Sequence, residues 1–160
     1  MEQTHPFPPV VDAGCTTLIL GSFPSVKSRE QGFFYGHPQN RFWKVLAAVF
    51  GEEVPADAAA KKALLLRHHI ALWDVIACCE IDGSADASVR NAVTMDIGRV
   101  LAIAPIRRVI CNGNLAAKLY RQHLQGITGM EALAAPSTSP ANAAWSLERL
   151  TEAWRGMLMG

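Results

Sequence analysis

Thr16-Thr-Leu-Ile-Leu20, followed by Gly21-Ser-Phe-Pro-Ser25, decides how this chain is read. A β-rich apolar run breaks off at a glycine into small residues, which is how a buried strand ends in a loop. That loop continues through Phe34-Tyr-Gly-His-Pro-Gln-Asn40 to Arg41-Phe-Trp43. A connection of this length inside a domain is usually functional or disordered. The density of Phe23, Phe33, Phe34 and Tyr35 argues against disorder, because disordered segments are poor in aromatics.

The same pattern recurs along the chain. Ile70–Ile76 and Arg107–Cys111 are further apolar runs, the second closed by Asn112-Gly113, and Met130–Ala135 is a weaker strand. Between them, Phe42, Leu46, Val49 and Phe50 recur at helical spacing, and Gly51 stops that helix. Residues from Asp57 to His69 predict a second helix, and Ile97, Val100, Leu101 and Ala104 predict a third, which Pro105 ends. Ala116, Leu119, Tyr120 and His123 fit a fourth, and Leu147, Leu150, Trp154 and Leu158 a last one. Residues 80–95 are expected to be an exposed loop. Residues 1–14, with three prolines, are expected to be an arm laid on the surface of a single domain spanning 15–160. Strands alternating with helices indicate an α/β fold with a parallel sheet covered on both faces. In such sheets ligands bind beyond the carboxyl ends of the strands. That rule brings Gly21–Asn40, the region after Val75, Asn112-Gly113 and Pro136–Asn142 to one rim.

Composition narrows the function classes. At 160 residues, with 50% hydrophobic and 18% charged, the chain can bury a core unaided. No apolar run approaches the ~20 residues of a membrane span. The N-terminus lacks a basic region and an apolar export core, so a cytoplasmic protein is expected. Cys15, Cys78, Cys79 and Cys111 form no C-x-x-C pair and read as free thiols rather than a metal or iron–sulfur site. The net charge of +1 does not mark a nucleic-acid binder, but Lys27, Arg29, Arg41 and Lys44 against Glu30 leave a local excess of +3. Such a patch suits a phosphate backbone or a solvated surface. Gly-Ser-Phe-Pro-Ser is not a Gly-x-Ser-x-Gly elbow, and neither a Walker sequence nor a Gly-x-Gly-x-x-Gly is present.

Gly21-Ser-Phe-Pro-Ser-Val-Lys-Ser28, Phe34-Tyr-Gly-His-Pro-Gln-Asn-Arg-Phe-Trp43 and Pro136-Ser-Thr-Ser-Pro-Ala-Asn142 resemble the hypoxanthine-DNA (deoxyinosine) glycosylases, a branch of the uracil-DNA glycosylase superfamily. The resemblance extends over nearly the whole chain. It implies a three-layer α/β/α single domain with a mainly four-stranded parallel sheet. It also implies a monofunctional base-excision enzyme that needs no metal and no cofactor and cleaves the N-glycosidic bond of deaminated bases, chiefly hypoxanthine. Its partner would be double-stranded DNA, with single strands left open, and the enzyme is expected to be a monomer. A uracil- or xanthine-preferring glycosylase, or a non-catalytic nucleic-acid-binding domain on the same scaffold, are the alternatives.

Excision of a base from a duplex requires that it be flipped into a pocket. Gly21, Ser22, Phe23, Tyr35 and Asn112 are expected to form that pocket, with Phe23 and Tyr35 stacking on the base; Phe23 would serve equally as a core plug. By resemblance, Asn40 corresponds to the catalytic asparagine. Its carbonyl oxygen is expected to position the attacking water, although Asn40 also suits the cap of a helix starting at Arg41. Asn112 is expected to pair with the polar edge of the base, against an ordinary Asn-Gly turn. Ser137, Thr138 and Ser139, in the loop that by resemblance enters the minor groove, and Ser25, Lys27 and Ser28 are expected to bind phosphates. Asn142 reads as the cap of the last helix, His37 as structural, and Asp74 as structural unless its strand ends early.

Overall fold

The computed structural model describes residues 2–159. The chain starts with β1 (Glu2–Thr4), β2 (Thr17–Gly21), α1 (Val26–Gln31), α2 (Phe42–Phe50) and α3 (Ala58–Arg67). It continues with β3 (Ile70–Asp74), β4 (Ile76–Glu80), β5 (Arg90–Thr94), α4 (Gly98–Ile103) and β6 (Arg108–Asn112). It closes with α5 (Asn114–Leu119), a π-helical turn over Tyr120–Leu124, α6 (Gln125–Thr128), β7 (Ala132–Ala135) and α7 (Leu147–Met159).

Four strands form the central parallel sheet in the order β3-β2-β6-β7. Residues of both parities are buried along β2 and β3. Both sheet faces are therefore covered, as near-continuous apolar runs require, and the chain is a three-layer α/β protein. α2 buries Phe42, Trp43, Val45, Leu46 and Val49 while Lys44 and Ala48 stay exposed, so its apolar stripe has the helical period. It packs on α7, where Trp154 meets Phe42 edge-to-face at 6.0 Å. Gly51 takes a φ of 65° at the end of α2, a conformation glycine adopts without steric cost. Asp57 caps α3 by accepting the Ala60 N–H at 2.8 Å. Both ends were legible in the sequence.

Three buried tryptophans also fasten loops, because a buried indole N–H needs an acceptor. Trp43 donates to Phe34 O, Trp73 to Phe7 O and Trp154 to Pro136 O, at 3.0–3.1 Å. Two of these acceptors lie in the loops that border the cleft described below.

The structure corrects the sequence in five places. Residues 21–40 are not all loop, because Val26–Gln31 forms α1 with Ser25 as its cap. Residues 2–14 are not a surface arm: β1 pairs antiparallel with β4, Val10 bridges Leu72, and Phe7 and Val10 join the core. Ile70–Ile76 is not one strand. Val75 turns the chain out of the parallel sheet, its N–H bonding Gly21 O at 2.8 Å, and β4 then enters a second, antiparallel sheet of order β1-β4-β5. Residues 80–95 are not only a loop, because Arg90-Asn-Ala-Val-Thr94 forms β5 on the edge of that sheet. An edge strand with so little apolar content gives no periodic signal. Asn142 does not cap the last helix; Ser146 Oγ accepts the Arg149 N–H of its first turn at 3.1 Å, and Asn142 Nδ2 instead donates to Ser137 O.

Cys15, Cys79 and Cys111 are buried free thiols and Cys78 is half-buried; burial holds Cys15 and Cys111 well above the ordinary thiol range. No helix among the described residues is long and apolar enough to cross a membrane.

Candidate functional site

The last residues of the four parallel strands, Gly21, Asp74, Asn112 and Ala135, all line one cleft of about 1050 Å³. The strand registers bring them together, since Gly21 pairs with Asp74 and Asn112 with Ala135. The loop after β2 forms one wall with Phe23, Phe34 and Tyr35, the loop after β7 forms another with Ser137 and Ser139, and Asn40 and Thr138 meet at the floor between them. The tip of the β4–β5 hairpin closes a third side. It is tied down by Ser22 Oγ donating to Asp86 at 3.0 Å, Val26 N donating to Ser84 Oγ at 2.8 Å, and Arg29 donating to Gly83 O at 2.8 Å. Arg41 joins the walls: its backbone N–H bonds Thr138 O, and its guanidinium binds the carbonyls of Ser139, Asn142 and Trp145.

Across the floor runs a directional chain of hydrogen bonds. A backbone N–H can only donate, so each one fixes the orientation of the amide it meets. Phe42 N–H points at Asn40 (2.9 Å) and Thr138 N–H at Asn112 (3.1 Å), so those two side-chain atoms are the carbonyl oxygens. Asn112 Nδ2 then donates to the Tyr35 hydroxyl at 3.2 Å and to Thr138 Oγ1 at 3.0 Å. Thr138, fully buried, passes its own hydrogen to Asn40 Oδ1 at 2.9 Å. Both lone pairs of the Asn40 oxygen are thereby engaged. Its Nδ2 has no protein partner among the described residues, and Asn40 lines the cleft. The oxygen expected to hold a water is occupied, and the free group is a donor.

Tyr35 sits at a φ of 52°, left-handed backbone that costs a non-glycine residue about 1 kcal/mol. Its ring stacks on Phe42 at a 4.1 Å centroid distance, which covers one face and directs the hydroxyl to Gly21. Burial, with the charge of Asp74 adding to it, pushes the Tyr35 phenol above its ordinary range against the opposing Asn112 bond. It stays a protonated donor. Gly21 has no room for a side chain: a Cβ there would stand 2.4 Å from Asp74 Oδ1 and 2.6 Å from the Tyr35 hydroxyl oxygen. Asp74 is 3% exposed, and its other oxygen accepts from His5 Nε2 at 2.7 Å. Phe7 N–H donates to His5 Nδ1 at 3.1 Å, which leaves the imidazole proton on Nε2, directed at the carboxylate.

The model of the uracil DNA glycosylase superfamily matches residues 8–157. The chain belongs to the uracil-DNA glycosylase superfamily. Within that superfamily it is similar to two proteins named hypoxanthine DNA glycosylase. One, from Methanosarcina acetivorans, is 35% identical over 147 residues, covering 91% of this chain and 92% of the relative. The other, from Methanosarcina barkeri, is 32% identical over 138 residues, covering 85% and 86%. An NMR structure of a candidate uracil DNA glycosylase from Methanosarcina acetivorans superposes with a TM-score of 0.83 at 32% identity, over 99% of this chain and 97% of that one.

For this superfamily member the cleft gathers most of the residues singled out from the sequence, but with altered availability. Gly21, Ser22, Phe23, Tyr35, Asn40 and Asn112 all line it. The Asn112 amide hydrogens are both used internally, so Asn112 holds its neighbours rather than offering a donor. Ser28 accepts from the Gly36 N–H and from Ser25 Oγ, and Ser25 also caps α1; like Thr138, Ser25 has no hydroxyl hydrogen free for phosphate, and burial keeps Ser28 away from one. Ser137 and Ser139 accept the N–H groups of Ser139 and Ala141 and keep their O–H groups free. Lys27 is exposed, pairs with Glu30 at 3.6 Å and lies outside the cleft lining. The sequence missed His5, Asp86 and Trp145, the last half-buried at the cleft with Arg149 stacked at 3.9 Å. It read Asp74 as structural, because the apolar run appeared to continue past it. The early strand end at Val75 puts that carboxylate on the rim.

Proposed function

We propose that the protein excises hypoxanthine from DNA by hydrolysing the N-glycosidic bond of deoxyinosine. The observation that carries this is Asn40, at the floor of a cleft wide enough for a purine, with its amide orientation locked by Thr138 and Phe42 and its Nδ2 open to the cleft. The names of the two relatives that match across most of the chain support the same substrate.

Glycosidic cleavage sends the bonding electron pair to the base and leaves the deoxyribose cationic. An amide nitrogen takes no proton, so Asn40 does not act as a general base. Its Nδ2–H holds a water whose remaining lone pair adds to C1′ once the base has departed, and the surplus proton leaves to solvent or to the base. The contribution is therefore positional. Phe23 forms an apolar wall for the flipped base, and Gly21 allows the base to approach the backbone.

Ser137 and Ser139 supply phosphate donors, with Lys27 as an outlying cation, and the enzyme acts as a cytoplasmic monomer on duplex DNA. Such contacts give affinity without sequence preference. With Lys27 as the cation that neutralises a phosphate, the logarithm of the binding constant for undamaged duplex should fall with the logarithm of salt concentration with a slope of about −1. A flat salt titration would contradict phosphate binding here.

The test of substrate is a panel of labelled duplexes carrying inosine, uracil or xanthine, treated with alkali to reveal abasic sites. Inosine should be cut fastest. Uracil cut faster than inosine would move the protein to the activity in the name of its NMR-solved relative. No cutting of any of the three would leave a binding domain.

A further inference from the structure

Besides Asn40 Nδ2 and the hydroxyl hydrogens of Ser137 and Ser139, two more polar atoms of the cleft lack a protein partner among the described residues although their side chains are otherwise held: Asp74 Oδ1 and the Tyr35 hydroxyl hydrogen. They flank one point, the place where a Cβ would stand on Gly21, 2.4 Å from one oxygen and 2.6 Å from the other. Each is held from behind. His5 fixes the second Asp74 oxygen at 2.7 Å, and Asn112 Nδ2 donates to the Tyr35 oxygen at 3.2 Å, which leaves that hydroxyl to donate forwards. The result is a fixed acceptor next to a fixed donor.

We propose that Asp74 Oδ1 and the Tyr35 hydroxyl read the N–H/C=O lactam edge that a deaminated base presents and that adenine lacks. Hypoxanthine offers a donor at N1 and an acceptor at O6, matching the carboxylate and the hydroxyl. Adenine offers the reverse, a lone pair at N1 and a donor amino group, so N1 would face an anionic oxygen with no proton between them. A site built to hydrogen-bond one pattern rejects the inverted pattern strongly, because its buried polar groups are left unpaired. Asp74 and Tyr35 are thus specificity-determining, and His5 is a positioning residue that β1 brings to the cleft. This inference rests on the proposed excision of deaminated bases.

The test measures binding, so it does not depend on turnover. Affinities are compared for duplexes carrying uncleavable 2′-fluoroarabino-inosine or 2′-fluoroarabino-adenosine opposite the same base. Asp74→Asn keeps an acceptor for His5 but turns a donor into the cleft. It should reduce the inosine-over-adenine preference by about 10- to 100-fold, the range for a hydrogen bond to a charged group. Affinity for the adenine duplex should not fall. Tyr35→Phe, which removes one hydroxyl, should reduce the preference by about 2- to 10-fold and serves as the reporter if Asp74→Asn unfolds. A wild type without preference, or a preference that survives in the folded variants, would overturn the assignment. Wild-type cleavage of ordinary deoxyinosine, run in parallel, separates the two ideas: discrimination without cleavage removes the excision activity and keeps the edge readers, while cleavage without discrimination does the opposite.

Discussion

Asn40→Ala is expected to slow single-turnover release of hypoxanthine from a deoxyinosine duplex by about 100- to 1000-fold, the usual loss when one preorganised hydrogen-bonding group is removed from a reaction centre. Affinity for undamaged duplex should hardly move, because Asn40 is at the floor of the cleft and the free hydroxyls of Ser137 and Ser139 are on its wall. The same substitution also takes an acceptor from the Phe42 N–H at the start of α2 and from the buried Thr138 hydroxyl. Those losses should cost about 2–4 kcal/mol together, a fall of roughly 4–16 °C in the melting midpoint for a chain of this size. The two effects separate the two roles of the side chain. A thermal shift of that size at full cleavage rate would reduce Asn40 to a helix cap.

Thr138→Val is expected to damage both stability and rate while nearly conserving shape. The Thr138 hydroxyl is fully buried and lies between Asn112 Nδ2 and Asn40 Oδ1. Valine leaves the Asn112 donor unpaired in the interior, a loss of about 1–3 kcal/mol that urea unfolding would detect as a lower midpoint at unchanged slope. With one of its two restraints gone, the Asn40 amide can turn, and cleavage of deoxyinosine should slow by about tenfold or more, as expected when a positioned group loses its orientation. Thr138→Ser retains the hydroxyl and should recover most of the rate. A valine variant as stable and as fast as the parent would show that the chain of bonds across the cleft floor does not hold Asn40 in place.

The four parallel strands and the location of the cleft could be read from the sequence because both follow from local signals and one topological rule. Apolar runs that end at Gly21 and at Asn112-Gly113 mark strand ends, and a parallel sheet collects its strand ends on one rim. The Gly21–Asn40 and Pro136–Asn142 segments were placed on that rim for the same reason, while Asn40 itself was singled out by the family resemblance. The availability of each side chain was not legible. Thr138, Ser25 and Ser28 look like exposed hydroxyls in a polar loop, and only the tertiary fold shows that Thr138 and Ser25 use their hydrogens inside the protein and that Ser28 is buried. His5 was invisible for a different reason. It arrives through an antiparallel register between Glu2–Thr4 and Cys78–Glu80, a pairing across nearly half the chain that no periodicity encodes. β5 carries too little apolar surface to announce itself, so the hairpin that closes the cleft was read as a loop.

The Asn40 amide nitrogen, with its oxygen already engaged, is expected to act at the sugar of a deaminated nucleotide. Asn40→Asp tests this most directly, because aspartate still accepts from Phe42 N–H and the Thr138 hydroxyl but offers no N–H to the cleft. Single-turnover release of free hypoxanthine, followed by chromatography, should proceed with the wild type and fall with Asn40→Asp to about the level of Asn40→Ala. Release by the aspartate variant at the wild-type rate, or no release by the wild type, would contradict the account.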